Sequence, residues 1–140
     1  TMKTGPISLL LLMLAIAFPA LAEDKLNVVY HLSEPDKADF VLNNINNHIK
    51  GAGGPDKVNI VLVMHGPAVK AFNDIEAVDK VRSRVSGLQE QGVAFNVCGN
   101  TLQVMDLSMD ELLPGMEEVS QGGVTRIAEL QSQGYIYIRP

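Results

Sequence analysis

The stretch Leu88-Gln89-Glu90-Gln91-Gly92-Val93-Ala94-Phe95-Asn96-Val97-Cys98 carries a helix end, a glycine and a strand in immediate succession. Glycine past the last helical turn takes the left-handed conformation that stops a helix, and the β-branched and aromatic residues behind it read as a strand. The same junction recurs at Leu130-Gln131-Ser132-Gln133-Gly134-Tyr135, ahead of Tyr135-Ile136-Tyr137-Ile138. A repeated helix-to-strand connection implies right-handed crossovers onto a parallel sheet.

The rest of the chain extends this pattern. Leu26-Asn27-Val28-Val29-Tyr30-His31 and Val58-Asn59-Ile60-Val61-Leu62-Val63-Met64 are almost wholly apolar, as strands covered on both faces should be. Between them Ala38, Val41, Leu42, Ile45 and Ile49 recur at helical spacing, with Ser33 expected as N-cap and Gly51 as the stop. Ala77, Val78, Val81, Val85 and Leu88 mark a second helix, and Val124, Ile127, Ala128 and Leu130 a last one. Ser108-Met109-Asp110-Glu111 reads as a capping box, and Glu117-Glu118-Val119-Ser120 as a short fourth strand. The expected fold is α/β: a three-layer α/β/α sandwich around a mostly parallel, five-stranded sheet.

Residues 1–22 read as a signal peptide. Lys3 precedes an apolar run from Ile7 to Phe18, and Ala20-Leu21-Ala22 has the small-x-small pattern of a cleavage site, so cleavage is expected after Ala22. The run is shorter than the roughly 20 residues that span a bilayer, so no stable membrane insertion is expected after cleavage. Residues 23–140 form one domain, expected in the periplasm. The whole chain carries a net charge of −5, and losing Lys3 with the leader makes the domain more acidic. An acidic domain without a Lys/Arg cluster is a poor nucleic-acid binder.

Cys98 is the only cysteine. Exported chains usually pair their cysteines, so a single one points to a reactive thiol or an intermolecular bridge. It stands where a strand runs into Gly99-Asn100, a turn that can open a helix. Amides at such a start stabilise a thiolate, and those of Gly99 and Asn100 are the expected donors. His65, after the second strand, and His31, at the end of the first, should share the carboxyl edge of the sheet with Cys98. A neighbouring imidazole can take the thiol proton, and His65, followed by Gly66-Pro67, is the preferred partner, with His31 second. His48 reads as solvated surface. The three candidates lack close metal-ligand spacing, so neither a metal nor another cofactor is expected. The rival reading is a non-catalytic module that holds a small ligand or metal at the same rim.

Four segments together resemble the DsrE/DsrF-like family, whose fold is shared with the sulfur-relay Tus subunits and YchN-like proteins. They are Val29-Tyr30-His31-Leu32, Val61-Leu62-Val63-Met64-His65-Gly66-Pro67, Gly92 through Cys98-Gly99-Asn100-Thr101-Leu102, and Gly122-Gly123-Val124 through Gln133-Gly134-Tyr135. The resemblance covers residues 25–140. It implies a small flavodoxin-like sandwich that assembles into trimers or hexamers, and a cysteine, matched by Cys98, that carries sulfur as a persulfide. The implied partners are sulfur donor and acceptor proteins or small sulfur compounds. The signal peptide and the Cys-Gly-Asn-Thr turn set the chain apart from the cytoplasmic relay subunits. Leu107, Met109, Leu112, Leu113 and Met116 cluster in one short segment and are expected to supply the contact between copies.

Overall fold

The computed structural model describes residues 1–2 and 24–140, so the leader's apolar run and the cleavage point at Ala22 lie outside the described residues. The elements follow in the order β1 (Leu26–Leu32), α1 (Ala38–Ala52), β2 (Val58–Met64), α2 (Asp79–Glu90), β3 (Ala94–Cys98), α3 (Gly99–Met105), β4 (Met116–Val119), α4 (Gly123–Ser132) and β5 (Ile136–Ile138). The five strands form one parallel sheet in the order β4-β3-β2-β1-β5.

This order follows from crossover handedness. The chain steps from β1 to β4 in one direction, so α1, α2 and α3 fall on one face of the sheet. It then returns past the whole sheet to β5, which places α4 on the other face. The core divides accordingly. Val28, Ile60, Leu62, Phe95 and Val97 pack with the α1, α2 and α3 side chains in a large cluster, while Val29, Val61 and Val63 meet Ile127 and Leu130 of α4 in a smaller one. Alternate residues of a strand face opposite ways, so His31 and Cys98 belong by register to the α4 side.

Both glycine-ended junctions form as the sequence predicts. Gly92 has φ 88° and Gly134 φ 92°. Val93 N–H donates to Leu88 O and Tyr135 N–H to Leu130 O, each at 3.0 Å, which fills the last helical carbonyls in the same way twice.

Several local expectations change. Helix α1 runs through Gly51 and ends at Gly53, whose φ of 99° and N–H bonds to Ile49 and Lys50 make the left-handed cap. Ser33 caps no helix: Pro35 opens a 3₁₀ turn, Pro35–Lys37, and the Ser33 hydroxyl instead donates to Glu34 at 2.9 Å. Val78 and Val124 are exposed and lie outside their helices' packed stripes. The capping box forms on a 3₁₀ turn, Met109–Glu111, with Ser108 N–H donating to Glu111 at 2.8 Å.

The segment expected to join copies is part of the chain's own core. Leu112 and Leu113 are 4% and 2% exposed, and Leu107, Met109 and Met116 pack against the same cluster. Leu113 N–H donates to Phe72 O at 2.9 Å, which ties the segment to the 3₁₀ helix Gly66–Phe72 behind β2. The apolar side chains left in solvent lie elsewhere, among them Val104 at 86% and Val124 at 66% exposure.

Candidate functional site

The sheet order sets the site. Reading β3-β2-β1-β5 along the carboxyl edge places Cys98, His65, His31 and Tyr137 in a row, one from each strand or its end. Cys98 is the last residue of β3 and the N-cap of α3, with extended backbone angles. Its sulfur therefore sits where strand amides give way to helix amides.

Two opposed effects act on the Cys98 thiol. Burial pushes its pKa up, while hydrogen bonds from the Thr101 side chain and from the backbone amides of Gly123, Thr101 and Asn100 pull it down. The hydrogen bonds win, and the thiol lies below its ordinary value. Of the two amides expected from sequence, that of Asn100 acts on the sulfur; the Gly99 amide is not among the donors. Gly99 contributes a close approach instead, since a Cβ there would lie 3.0 Å from Val119 O and 3.1 Å from Ser120 Cα.

Thr101 and Gly123 are additions that sequence reading missed. Thr101 stands three residues after Cys98, the spacing at which a first-turn side chain turns back to the cap, and this was the available signal. Its Oγ1 accepts Gly66 N–H at 2.8 Å, so the hydroxyl proton is left to point at the sulfur. The turn after β2 thus fixes a donor to the cysteine that ends β3. Gly123 opens α4, four residues after β4 ends, and nothing local in sequence announces it. A Cβ there would stand 3.3 Å from the Cβ atoms of both Cys98 and His65, so glycine lets the α4 start come this close without displacing either side chain.

Cys98 and His65 line one cavity of about 460 Å³, together with Pro67, Val104, Met105 and Val124. The Nε2 of His65 turns toward His31 Nε2, 2.6 Å away, and His31 Nδ1 is 2.7 Å from the Tyr137 hydroxyl. Burial lowers the pKa of both rings, His31 to about 4, with the neighbouring His65 and Arg139 adding to the His31 shift. Both are neutral at pH 7. Arg139 donates to Ser33 and Glu34 at 2.8 Å each, and the hydrogen bonds from the Ser33 hydroxyl and from Arg139 hold Glu34 at about 2. His48 is half-buried rather than solvated, with its Nδ1 2.8 Å from the Tyr30 hydroxyl. Among the described residues no group of three or more His, Cys, Asp or Glu is placed to hold a metal ion. No helix among them is long and apolar enough to cross a membrane.

A five-stranded parallel sheet with helices on both faces is the α/β fold of the YchN-like proteins. The chain belongs to the DsrE/DsrF-like family, which matches residues 26–140. Among solved structures it is similar to the protein of unknown function MTH1491 from Methanobacterium thermoautotrophicum, at 31% identity and a TM-score of 0.73, over 83% of this chain and 100% of that one. It shares its fold with the ychN protein from E. coli, at 15% identity and a TM-score of 0.62, over 82% and 99% of the two chains. The same holds for the conserved protein BT1422 from Bacteroides thetaiotaomicron, at 15% identity and a TM-score of 0.57, over 80% and 94%. No curated protein matches the chain.

Proposed function

We propose that this is a periplasmic sulfur-handling protein in which Cys98 accepts sulfane sulfur and passes it on as a persulfide. The observation that carries the reading is the set of donors around the sulfur: one hydroxyl and three amides that favour the anion over the thiol. A cysteine that merely fills space has no use for such a set, and the thiolate is the form that attacks. The family supports the sulfur chemistry.

In the step itself, the Cys98 thiolate forms a bond to the sulfane sulfur of a donor. The donor's own S–S bond breaks, and its electron pair leaves on the departing group. A Cys98 that arrives protonated gives its proton to solvent, while the neutral His65, backed by His31 and Tyr137, stays beside it on the cavity wall. Donors and acceptors are small sulfur compounds or proteins. The homo-oligomer, a trimer or hexamer, belongs to the same reading and now rests on the family rather than on the 107–116 segment. Export with cleavage after Ala22 is checked by N-terminal sequencing of periplasmic protein, which should start at Glu23; full-length chain in the membrane would overturn it.

The decisive experiment is intact mass after incubation with polysulfide, thiosulfate and an organic trisulfide in turn. Added sulfur that disappears in Cys98→Ser is expected. No added sulfur from any donor would overturn the reading.

A further inference from the structure

The cavity beside Cys98 contains no Lys, Arg, Asp or Glu among its lining residues; its only ionisable side chains are Cys98 and His65. Burial keeps His65 neutral at pH 7, so it supplies no positive charge. The nearby Arg126 of α4 is engaged elsewhere, donating to Asn96 at 3.0 Å and paired with Glu129 at 3.7 Å. The amides of Asn100, Thr101 and Gly123 and the Thr101 hydroxyl are already committed to the cysteine sulfur. Pro67, Val104, Met105 and Val124 leave the remaining wall largely apolar, with Val104 and Val124 exposed.

A second anion entering this space would meet the thiolate with no counter-charge and would lose its water to an apolar wall. Both effects oppose it. A neutral sulfur chain meets neither cost, and its polarisable atoms suit the apolar lining and the Met105 thioether.

Resting on the sulfur-accepting role of Cys98 given above, we propose that the cavity selects neutral, apolar sulfane sulfur compounds, of which organic trisulfides are the type, over anionic donors such as thiosulfate. The Cys98 thiolate attacks the central sulfur of the trisulfide and forms a new S–S bond. The bond from that sulfur to one outer sulfur breaks, and the electron pair leaves with the outer sulfur as a thiolate, which takes a proton from solvent. Cys98 is left as Sγ–S–S–R. The exchange needs no added oxidant or reductant.

The test compares rates of modification of Cys98 by diallyl trisulfide and by thiosulfate, with free N-acetylcysteine as the reference thiol. The trisulfide-to-thiosulfate ratio should exceed that of the free thiol by about tenfold or more, as expected when like charges meet without a counter-ion. Val124→Lys, at an exposed position, should narrow the ratio by speeding thiosulfate. A ratio equal to that of the free thiol overturns the substrate class and leaves the sulfur-accepting thiol standing. An unchanged ratio in Val124→Lys removes the cavity's lack of charge as the cause and overturns it too. Modification of Cys98 by neither donor overturns the underlying reading as well.

Discussion

The Nε2 atoms of His31 and His65 lie 2.6 Å apart, their rings nearly parallel at 20° with centroids 4.7 Å apart. Two bare lone pairs would repel at this distance and two N–H groups would clash, so the contact holds one proton. With both rings neutral, whichever histidine supplies that proton settles whether the Tyr137 hydroxyl donates to His31 Nδ1 or accepts from it.

Burial of His31, with His65 beside it, gives stability a pH dependence. The folded His31 pKa, about 4, is below its ordinary 6.5, so the unfolded chain binds more protons between these values. The contribution is complete above pH 6.5 and is lost as pH falls toward 4. Urea midpoints measured across this range should fall in the parent and fall less in His31→Asn, which keeps a polar side chain but does not titrate. Equal slopes would refute the assignment.

Thr101→Val should raise the Cys98 pKa. The valine removes a hydrogen bond that favours the thiolate over the thiol. The pH profile of thiol alkylation reads this directly: the parent should inflect below the roughly 8.5 of a free cysteine. Thr101→Ser should restore the parental profile, and superimposed parent and valine curves would remove Thr101 from the site.

Gly99→Ala should destabilise the fold by about 1–3 kcal/mol, the usual cost of overpacking. The atoms its methyl would meet, Val119 O and Ser120 Cα, are backbone at the end of β4 and cannot rotate away. Denaturant unfolding measures the loss; parental stability would mean that β4 yields freely.

Light scattering on residues 23–140 should give a trimeric or hexameric mass, and a monomer at micromolar concentration would reject the assembly. Because Leu113 is buried within its own chain, Leu113→Asp should abolish cooperative unfolding rather than produce a folded monomer. A folded, monomeric Leu113→Asp would return the 107–116 segment to the interface.

What the sequence determined by itself is local. Helix stripes, apolar strands and the glycines at 92 and 134 specify their own conformations within a few residues, so the αβ alternation and the parallel sheet were legible, as was Cys98 at a strand-to-helix turn. Gly51 was misread as a helix end because a second glycine two residues on could serve equally, and only the packed helix chose Gly53. The burial of Leu112 and Leu113 was likewise invisible, since an apolar cluster does not state which surface covers it. Tertiary structure alone decided the strand order that lays Cys98, His65, His31 and Tyr137 along one edge, and the α4 crossover that brings the Gly123 amide to the sulfur. These contacts join residues distant in sequence, and they follow from how helices cover both faces of the sheet, a property of the whole packed chain.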